Sequence, residues 1–332
     1  MRLLKSKKKN LAHGSSIELK NFYGLSGVLI FGILFYLAYL ALFGEKPTIV
    51  RWLSYLIVWA AAPLLFCSAV LFYLKKKILS FTMLLVACLV TYPHVKFVSG
   101  GGKIQLGGNT NWYTVMTYSK MGRNQDLDSV ARVILSEKPD ILFVQEISPA
   151  ELDLLMGKIS SGYDKPLNSV IHSHNATVSP YKIIMDTEKN LYSPKLTISL
   201  PESSVSLWNV HLQKSIFNTA LQYKMVDQLV AQISSMGGPI IVAGDFNATI
   251  LNYPYVVTKK YLSNAFEEAG EGFGFTFPSP ARRMGSITPF LRIDHIFLSE
   301  DLIVGDVYVS KESGGSDHYP LISRVSFRNS VR

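Results

Sequence analysis

PDILFVQE, residues 139–146, decides how this chain is read. A proline and an aspartate precede the apolar run Ile141–Val144, and Gln145 and Glu146 close it. An uninterrupted apolar run of this length predicts a strand buried on both faces. A carboxylate at the end of such a strand is costly unless it is paired or binds a metal. The pattern recurs in PIIVAGDFN, residues 239–247, where Ile240–Ala243 leads into Asp245 and Asn247.

Working outward, WYTVMTY (112–118) is aromatic and β-branched and predicts a strand. Leu127, Val130, Ala131 and Ile134 recur at i, i+3, i+4 and i+7, a helix capped by Asp126 or Asp128 and stopped by Pro139. Further along, SLWNVHL (206–212) is a strand and 217–235 a helix, with Leu221, Met225, Leu229 and Ile233 at helical spacing before Gly237-Gly238-Pro239. RIDHIFL (292–298) and Leu321–Val325 are two more strands. Buried strands interleaved with helices predict an α/β class, with sheets covered by helices.

The first hundred residues are of another kind. The mean hydropathy of the chain is +0.21, and the excess lies there. Residues 24–43 and 52–74 carry no charge, and each has about the twenty residues that cross a hydrocarbon core. A third apolar stretch, Ile78 to about Val98, is interrupted by Pro93, His94 and Lys96. A cleaved signal peptide does not fit the first stretch, since two more apolar runs follow it. The reading is a basic tail over 1–22, three all-α spans over 23–98, a glycine-rich linker over 99–110 and a catalytic domain over 111–328. The formal charge of +9 divides into +10 for residues 1–98 and −1 for 99–332, so the basicity sets topology and is no footprint for nucleic acid. The tail (Arg2, Lys5, Lys7, Lys8, Lys9, Lys20) and the Lys75-Lys76-Lys77 turn belong on the cytoplasmic side, which puts the large domain outside, most simply at a bacterial plasma membrane. The only cysteines, Cys67 and Cys88, lie in apolar runs and give the soluble part neither a disulfide nor a thiolate site.

Polar residues gather where the buried strands end: Glu146, His211, Asp245, Asn247, Asp294, Asp317 and His318. PDILFVQE, NVHL, GDFN, RIDHIF and GSDH occur in that order, and together they resemble the motif series of the endonuclease/exonuclease/phosphatase family. The resemblance covers roughly residues 111–328. It implies a four-layer α/β sandwich, two central mixed β-sheets flanked by helices. It also implies a Mg²⁺-dependent hydrolase (Mn²⁺ as substitute) acting on a phosphoester, a nucleic acid or a lipid headgroup among the options. Glu146 then matches the principal metal ligand, with Asp317 a second acidic position near the metal. His318 matches the catalytic histidine that activates water or stabilises the phosphoryl oxygens, and Asp294 the carboxylate partner with which it forms the water-activating pair. Asp245 and Asn247 match residues that orient the nucleophile and hold phosphate. His211 matches a histidine that contacts phosphate or the leaving group.

One position departs from the family. An Asn normally follows the opening strand and supports the metal; here the chain reads Thr117-Tyr118-Ser119. Ser119 offers a single hydroxyl, and Asn124 is a candidate to compensate. The alternative to an enzyme is a membrane-anchored binding domain that kept the fold without the activity. His172, His174 and His295 have no evident partner and are read as structural, and Phe275–Pro280 with Arg282-Arg283 as a loop near the cleft.

Overall fold

In the computed structural model, residues 2–94, 110–186, 192–281 and 288–328 are described, the side chains of 2–19 and 216–217 excepted. The chain forms two compact units that divide after His94.

The first unit is helical: α1 (Arg2–Phe43), α2 (Thr48–Leu56), α3 (Ala61–Tyr73) and α4 (Lys77–Thr91). α2 and α3 run on through a tighter 3-10 turn, Ile57–Ala60. Pro63 lacks the N–H that would bond the carbonyl of Trp59, which accounts for the tightening there. Lys20–Phe43 and Thr48–Tyr73, of 24 and 26 residues, are long and apolar enough to cross a membrane. Large apolar side chains such as Val28, Phe31, Phe66 and Ile78 are exposed along these helices. Hydroxyls join the helices, as polar groups do in apolar surroundings. Ser68 and Ser80 each donate to the other's carbonyl, at 2.9 and 2.8 Å, and Tyr36 meets Ser54 at 2.8 Å. The structure adds detail to two expectations. The basic stretch read as a separate tail is helical from Arg2 onward and continuous with the first span. The third apolar stretch yields a helix of only 15 residues, ended just before Pro93, which has no N–H to donate to the Leu89 carbonyl and continue the ladder. The glycine-rich linker falls almost wholly outside the described residues.

The second unit runs β1 (Tyr113–Ser119), α5 (Leu127–Glu137), β2 (Ile141–Gln145), α6 (Pro149–Ile159), β3 (Asn168–His172), β4 (Asn175–Ser179), β5 (Ile183–Met185) and β6 (Leu196–Ser199). It continues β7 (Ser204–His211), α7 (Ser215–Ser234), β8 (Ile240–Asp245), α8 (Tyr253–Thr258), β9 (Ser263–Asn264), α9 (Ala265–Ala269), β10 (Asp294–Leu298), β11 (Leu302–Val309) and β12 (Leu321–Phe327). The strands form two six-stranded mixed sheets, β11-β12-β1-β2-β4-β3 and β5-β6-β7-β8-β10-β9. Each has one parallel pair at its heart, β1 with β2 and β7 with β8, joined through a helix and flanked by antiparallel strands.

The period of two along each strand distributes the side chains. In β2, Ile141 and Phe143 point between the sheets, where they meet Leu207, Ile241 and Ile296. Leu142 and Val144 point outward onto Val130 and Ile134 of α5 and Leu155 of α6. On the far side, Trp208, Val242 and Phe297 pack on Val226 and Leu229 of α7 and Tyr255 of α8. The result is helix, sheet, sheet, helix: the four-layer sandwich expected. Burying each such apolar side chain contributes about 1.5–3 kcal/mol, so the three cores together dominate the fold's stability.

At the end of the inter-sheet core this alternation places amides in place of hydrocarbons. Gln145 and Asn209 are buried and face each other from the two sheets, the Gln145 amide donating to Asn209 Oδ1 at 2.8 Å. Asn209 donates in turn to the Ala176 carbonyl at 2.8 Å. This polar bridge pins the sheets together just beneath the polar cluster.

Candidate active site

The two parallel pairs end at the same level. Ser119 lies opposite Gln145 at the close of β1 and β2, His211 opposite Asp245 at the close of β7 and β8, and Asp294 opposite Asp245 at the start of β10. Open α/β sheets present ligand sites at the carboxyl ends of their strands, and the polar residues gather there.

Tight turns give these side chains their directions. Glu146, the first residue after β2, has φ +59°, and Asn247, two residues past Asp245, has φ +46°. Left-handed backbone at non-glycine residues is uncommon and clusters at functional sites. Asp245 stabilises the second turn, its Oδ1 accepting from the Asn247 N–H at 2.8 Å and its Oδ2 from the Asn247 amide at 3.1 Å. Gly244 precedes it because nothing larger fits: a Cβ there would stand 1.8 Å from the Val210 carbonyl.

His318, buried, has Nδ1 2.8 Å from Asp294 Oδ2, and its Nε2 lies 3.7 Å from Asp245 Oδ2. Burial works against charge on this imidazole, yet Asp294 and Asp245 outweigh it and raise its pKa to about 9. With a proton on each nitrogen, Nδ1 donates to Asp294 and Nε2 is left as a donor at the cleft. Burial raises Asp245 to about 7, with His318 pulling the other way. Across the seam, His211 Nε2 is 3.8 Å from both Asp245 Oδ2 and Glu146 Oε1. Burial pushes His211 down, against the pull of Glu146. For Glu146 burial is the opposing influence; the Gly122 N–H, donating to Oε2 at 2.7 Å, and the charges of His211, Lys214 and His318 hold it below the usual range.

Donor chemistry fits a hard divalent cation. Glu146, Asp245 and Asp317 offer carboxylate oxygens, the donors Mg²⁺ takes. Asp294 Oδ1 is buried without a hydrogen-bond partner. Asp245, Asp294 and His318 bring ligand atoms within 4.8 Å of one another. Because the His318–Asp294 contact is a hydrogen bond, that trio is better described as a hydrogen-bonded pair with an adjacent carboxylate. Glu146, outside that trio, is the better position for the cation. Asp317 stands beside His318, acts on its charge, and holds the Ser279 N–H through its backbone carbonyl at 2.8 Å.

The remaining candidates are placed as follows. Ser119 is fully buried and its hydroxyl has no hydrogen-bond partner. Asn124 turns away from Glu146: its amide donates to the Gly314 carbonyl at 2.9 Å and its Oδ1 accepts from the Asp126 N–H at 3.1 Å. It thereby ties the loop after β1 to the loop that carries His318. His295 is structural, enclosed by Phe246, Tyr255 and Phe297 with Nε2 on the Ala248 carbonyl. His172 ends β3, and His174 lies in the turn to β4.

Sequence reasoning overlooked three participants. Lys214 acts electrostatically on Glu146, His211 and Asp245; the signal available was its place three residues after His211. Phe277, within the Phe275–Pro280 loop but not itself expected at the site, sets its ring 4.8 Å from the ring of His318. The Gln145–Asn209 bridge was hidden because each amide looks like an ordinary strand residue. Arg282 and Arg283 lie outside the described residues.

Solved structures share this architecture. An endonuclease/exonuclease/phosphatase family protein from Leptotrichia buccalis C-1013-b matches 65% of this chain and 100% of its own, at 16% identity and TM-score 0.51. A family protein from Bacteroides thetaiotaomicron matches 66% and 99%, at 17% identity and TM-score 0.51. D. rerio TDP2, complexed with a single-strand DNA product, matches 65% and 99%, at 15% identity and TM-score 0.51. At such identities the likeness is one of fold. No curated protein matches the chain. The family profile described as endonuclease/exonuclease/phosphatase matches residues 100–318, about two thirds of the sequence, and by that match the chain belongs to this family.

Proposed function

We propose that this chain is a membrane-anchored, Mg²⁺-dependent phosphoester hydrolase. The observation that carries the reading is the buried His318–Asp294 hydrogen bond set beside Asp245 and facing Glu146 across the seam. Glu146, with Asp317 as a second acidic position, would hold the cation, which when bound supplies charge neutralisation at the phosphoryl group. Asp294 fixes the imidazole orientation and keeps it protonated, so that His318 Nε2–H can bind a phosphoryl oxygen. Asp245, its pKa raised towards neutrality, is the acceptor for the proton of the attacking water. This divides the work expected of a His–Asp pair: the pair holds the charge and the second aspartate takes the proton. Asn247 fixes Asp245, and His211, with Lys214 close by, would contact the phosphate or the leaving group.

The test is hydrolysis by the detergent-solubilised full chain of bis-p-nitrophenyl phosphate, DNA, sphingomyelin and phosphoinositides. Expected is hydrolysis abolished by EDTA, restored by Mg²⁺ or Mn²⁺, and lost in Glu146→Gln. Turnover that persists in excess chelator sinks the metal-dependent reading. The near-neutral charge of residues 99–332 favours a lipid headgroup or small phosphoester over duplex nucleic acid.

For topology, the Lys75-Lys76-Lys77 turn supports a cytoplasmic position between α3 and α4, and hence an extracytoplasmic domain if α4 crosses. α4 covers about 22 Å against a hydrocarbon core of about 30 Å, so its passage relies on Tyr92–His94 and local thinning. Protease added to intact cells or spheroplasts should digest the domain; complete protection until lysis refutes this orientation.

A further inference from the structure

Lys120 is the residue least expected where it stands. It follows Ser119 at the end of β1, and its side chain is fully buried, next to the site yet turned away from it. A buried ammonium is strongly disfavoured unless paired. Here Nζ donates to Glu151 Oε1 at 2.6 Å and to the Asn124 carbonyl at 3.3 Å. Glu151 belongs to α6, which begins three residues after Glu146. Its other oxygen accepts from both the N–H and the hydroxyl of Ser148, at 2.8 Å each, closing the capping box that opens α6.

Two loops are thereby strapped together: the loop after β1, through Lys120 and the Asn124 carbonyl, and the loop after β2, through Ser148 and Glu151. The second holds Glu146. The first holds Gly122, whose N–H donates to Glu146 Oε2 at 2.7 Å. The hydroxyl of Ser119 has no hydrogen-bond partner and the Asn124 amide bonds Gly314 and Asp126, so among the described residues Gly122 is what fixes this carboxylate from the first loop.

We infer that Lys120 and Glu151 are positioning residues for Glu146: their buried ion pair sets the distance between the two loops and so aims the Glu146 carboxylate. The inference rests on the proposed function only for what Glu146 is aimed at; the aiming itself is independent of it. A bare stabilising role would leave the Gly122–Glu146 contact unchanged when the pair is removed.

The experiment has one arm without metal and one with it, on the full chain in detergent. Amide hydrogen exchange is read in the peptide containing Gly122 for wild type, Lys120→Met, Glu151→Gln and Ile159→Ala, the last a control that loosens α6 at its far end. Glu151→Gln is the gentler variant, since Gln keeps the shape and can still cap Ser148, and it carries the test if Lys120→Met does not fold. Exchange of this peptide should quicken at least tenfold in Lys120→Met or Glu151→Gln and not in Ile159→Ala. In the second arm, Mn²⁺ binding followed by electron paramagnetic resonance should weaken about tenfold in the same variants, with Ile159→Ala unchanged. Exchange that matches wild type in both pair variants, with a lowered melting temperature alone, overturns the positioning role. Faster exchange in a chain whose wild type binds no Mn²⁺ leaves the positioning role standing and refutes the metal reading.

Discussion

The two sheets of the second unit share one plan and carry opposite chemistry. In each, two parallel strands are joined through a helix, and a third strand pairs antiparallel with the second of them. The equivalent residues at the open end are Ser119, Gln145 and Asn175 in the first sheet and His211, Asp245 and Asp294 in the second. One trio is neutral and the other ionisable. The first sheet supplies its carboxylate one residue later, at Glu146, by turning the backbone left-handed, and its histidine from the loop before β12, which reaches over to Asp294. The scaffold therefore does not dictate the chemistry. It provides two equivalent rows of positions, and the sequence loads one row with charge while the other holds the sheets together.

Substitutions separate the two rows. The largest effect belongs to the ionisable row. His318→Ala and Asp294→Asn should each lower kcat by about 10²–10⁴, and the double variant by little more than either, since the two act as a unit. Losses that multiply show that they work independently. Second is pH. The pKa of His318 is raised from 6.5 to about 9, so the stability it contributes is complete below about pH 6.5 and is lost as pH rises through about 9. In chelator, the melting temperature of wild type should fall across that window, and the fall should flatten in Asp294→Asn. A flat wild-type profile removes the charged His318 from the account. The neutral row should respond in stability alone. Gln145→Leu leaves Asn209 Oδ1 buried without its donor and should cost roughly 1–3 kcal/mol in denaturant unfolding, with kcat per folded molecule retained. The smallest effect is at Ser119, whose hydroxyl is buried and unpartnered: Ser119→Ala should leave Mg²⁺ affinity unchanged by calorimetry and shift stability by no more than about 1 kcal/mol. Weakened affinity there restores Ser119 as a metal support.

Both central buried strands were legible from their apolar runs, as was the helix between β1 and β2, which Asp126 does cap, accepting from the Ser129 N–H at 3.0 Å. The helix expected over 217–235 begins at Ser215 and kinks at Asn218. The β3–β4 hairpin and β11 were not anticipated: β3 is half-exposed and so lacks an apolar alternation. α6 goes beyond the expectation too, although Ser148 and Glu151 spell its capping box with Pro149 at its first turn. Of the site, the residue identities were readable and the partnerships were not. Which carboxylate meets His318 depends on β10 lying antiparallel to β8, a long-range register that no local pattern records.

β12 pairs with β1 so that Val325 faces Tyr113 while Leu321 faces Thr117. Both strands consequently have their non-catalytic ends together, at the end of the sheet remote from Ser119 and His318. A seven-residue strand spans about 23 Å, so the chain enters and leaves the folded domain on the side away from the chemistry. The domain's ends are also near enough to be spliced. A circularly permuted chain, joined from Phe327 to Tyr113 and opened at the exposed Gly237-Gly238 turn, would retain every residue of the site while moving the point of attachment.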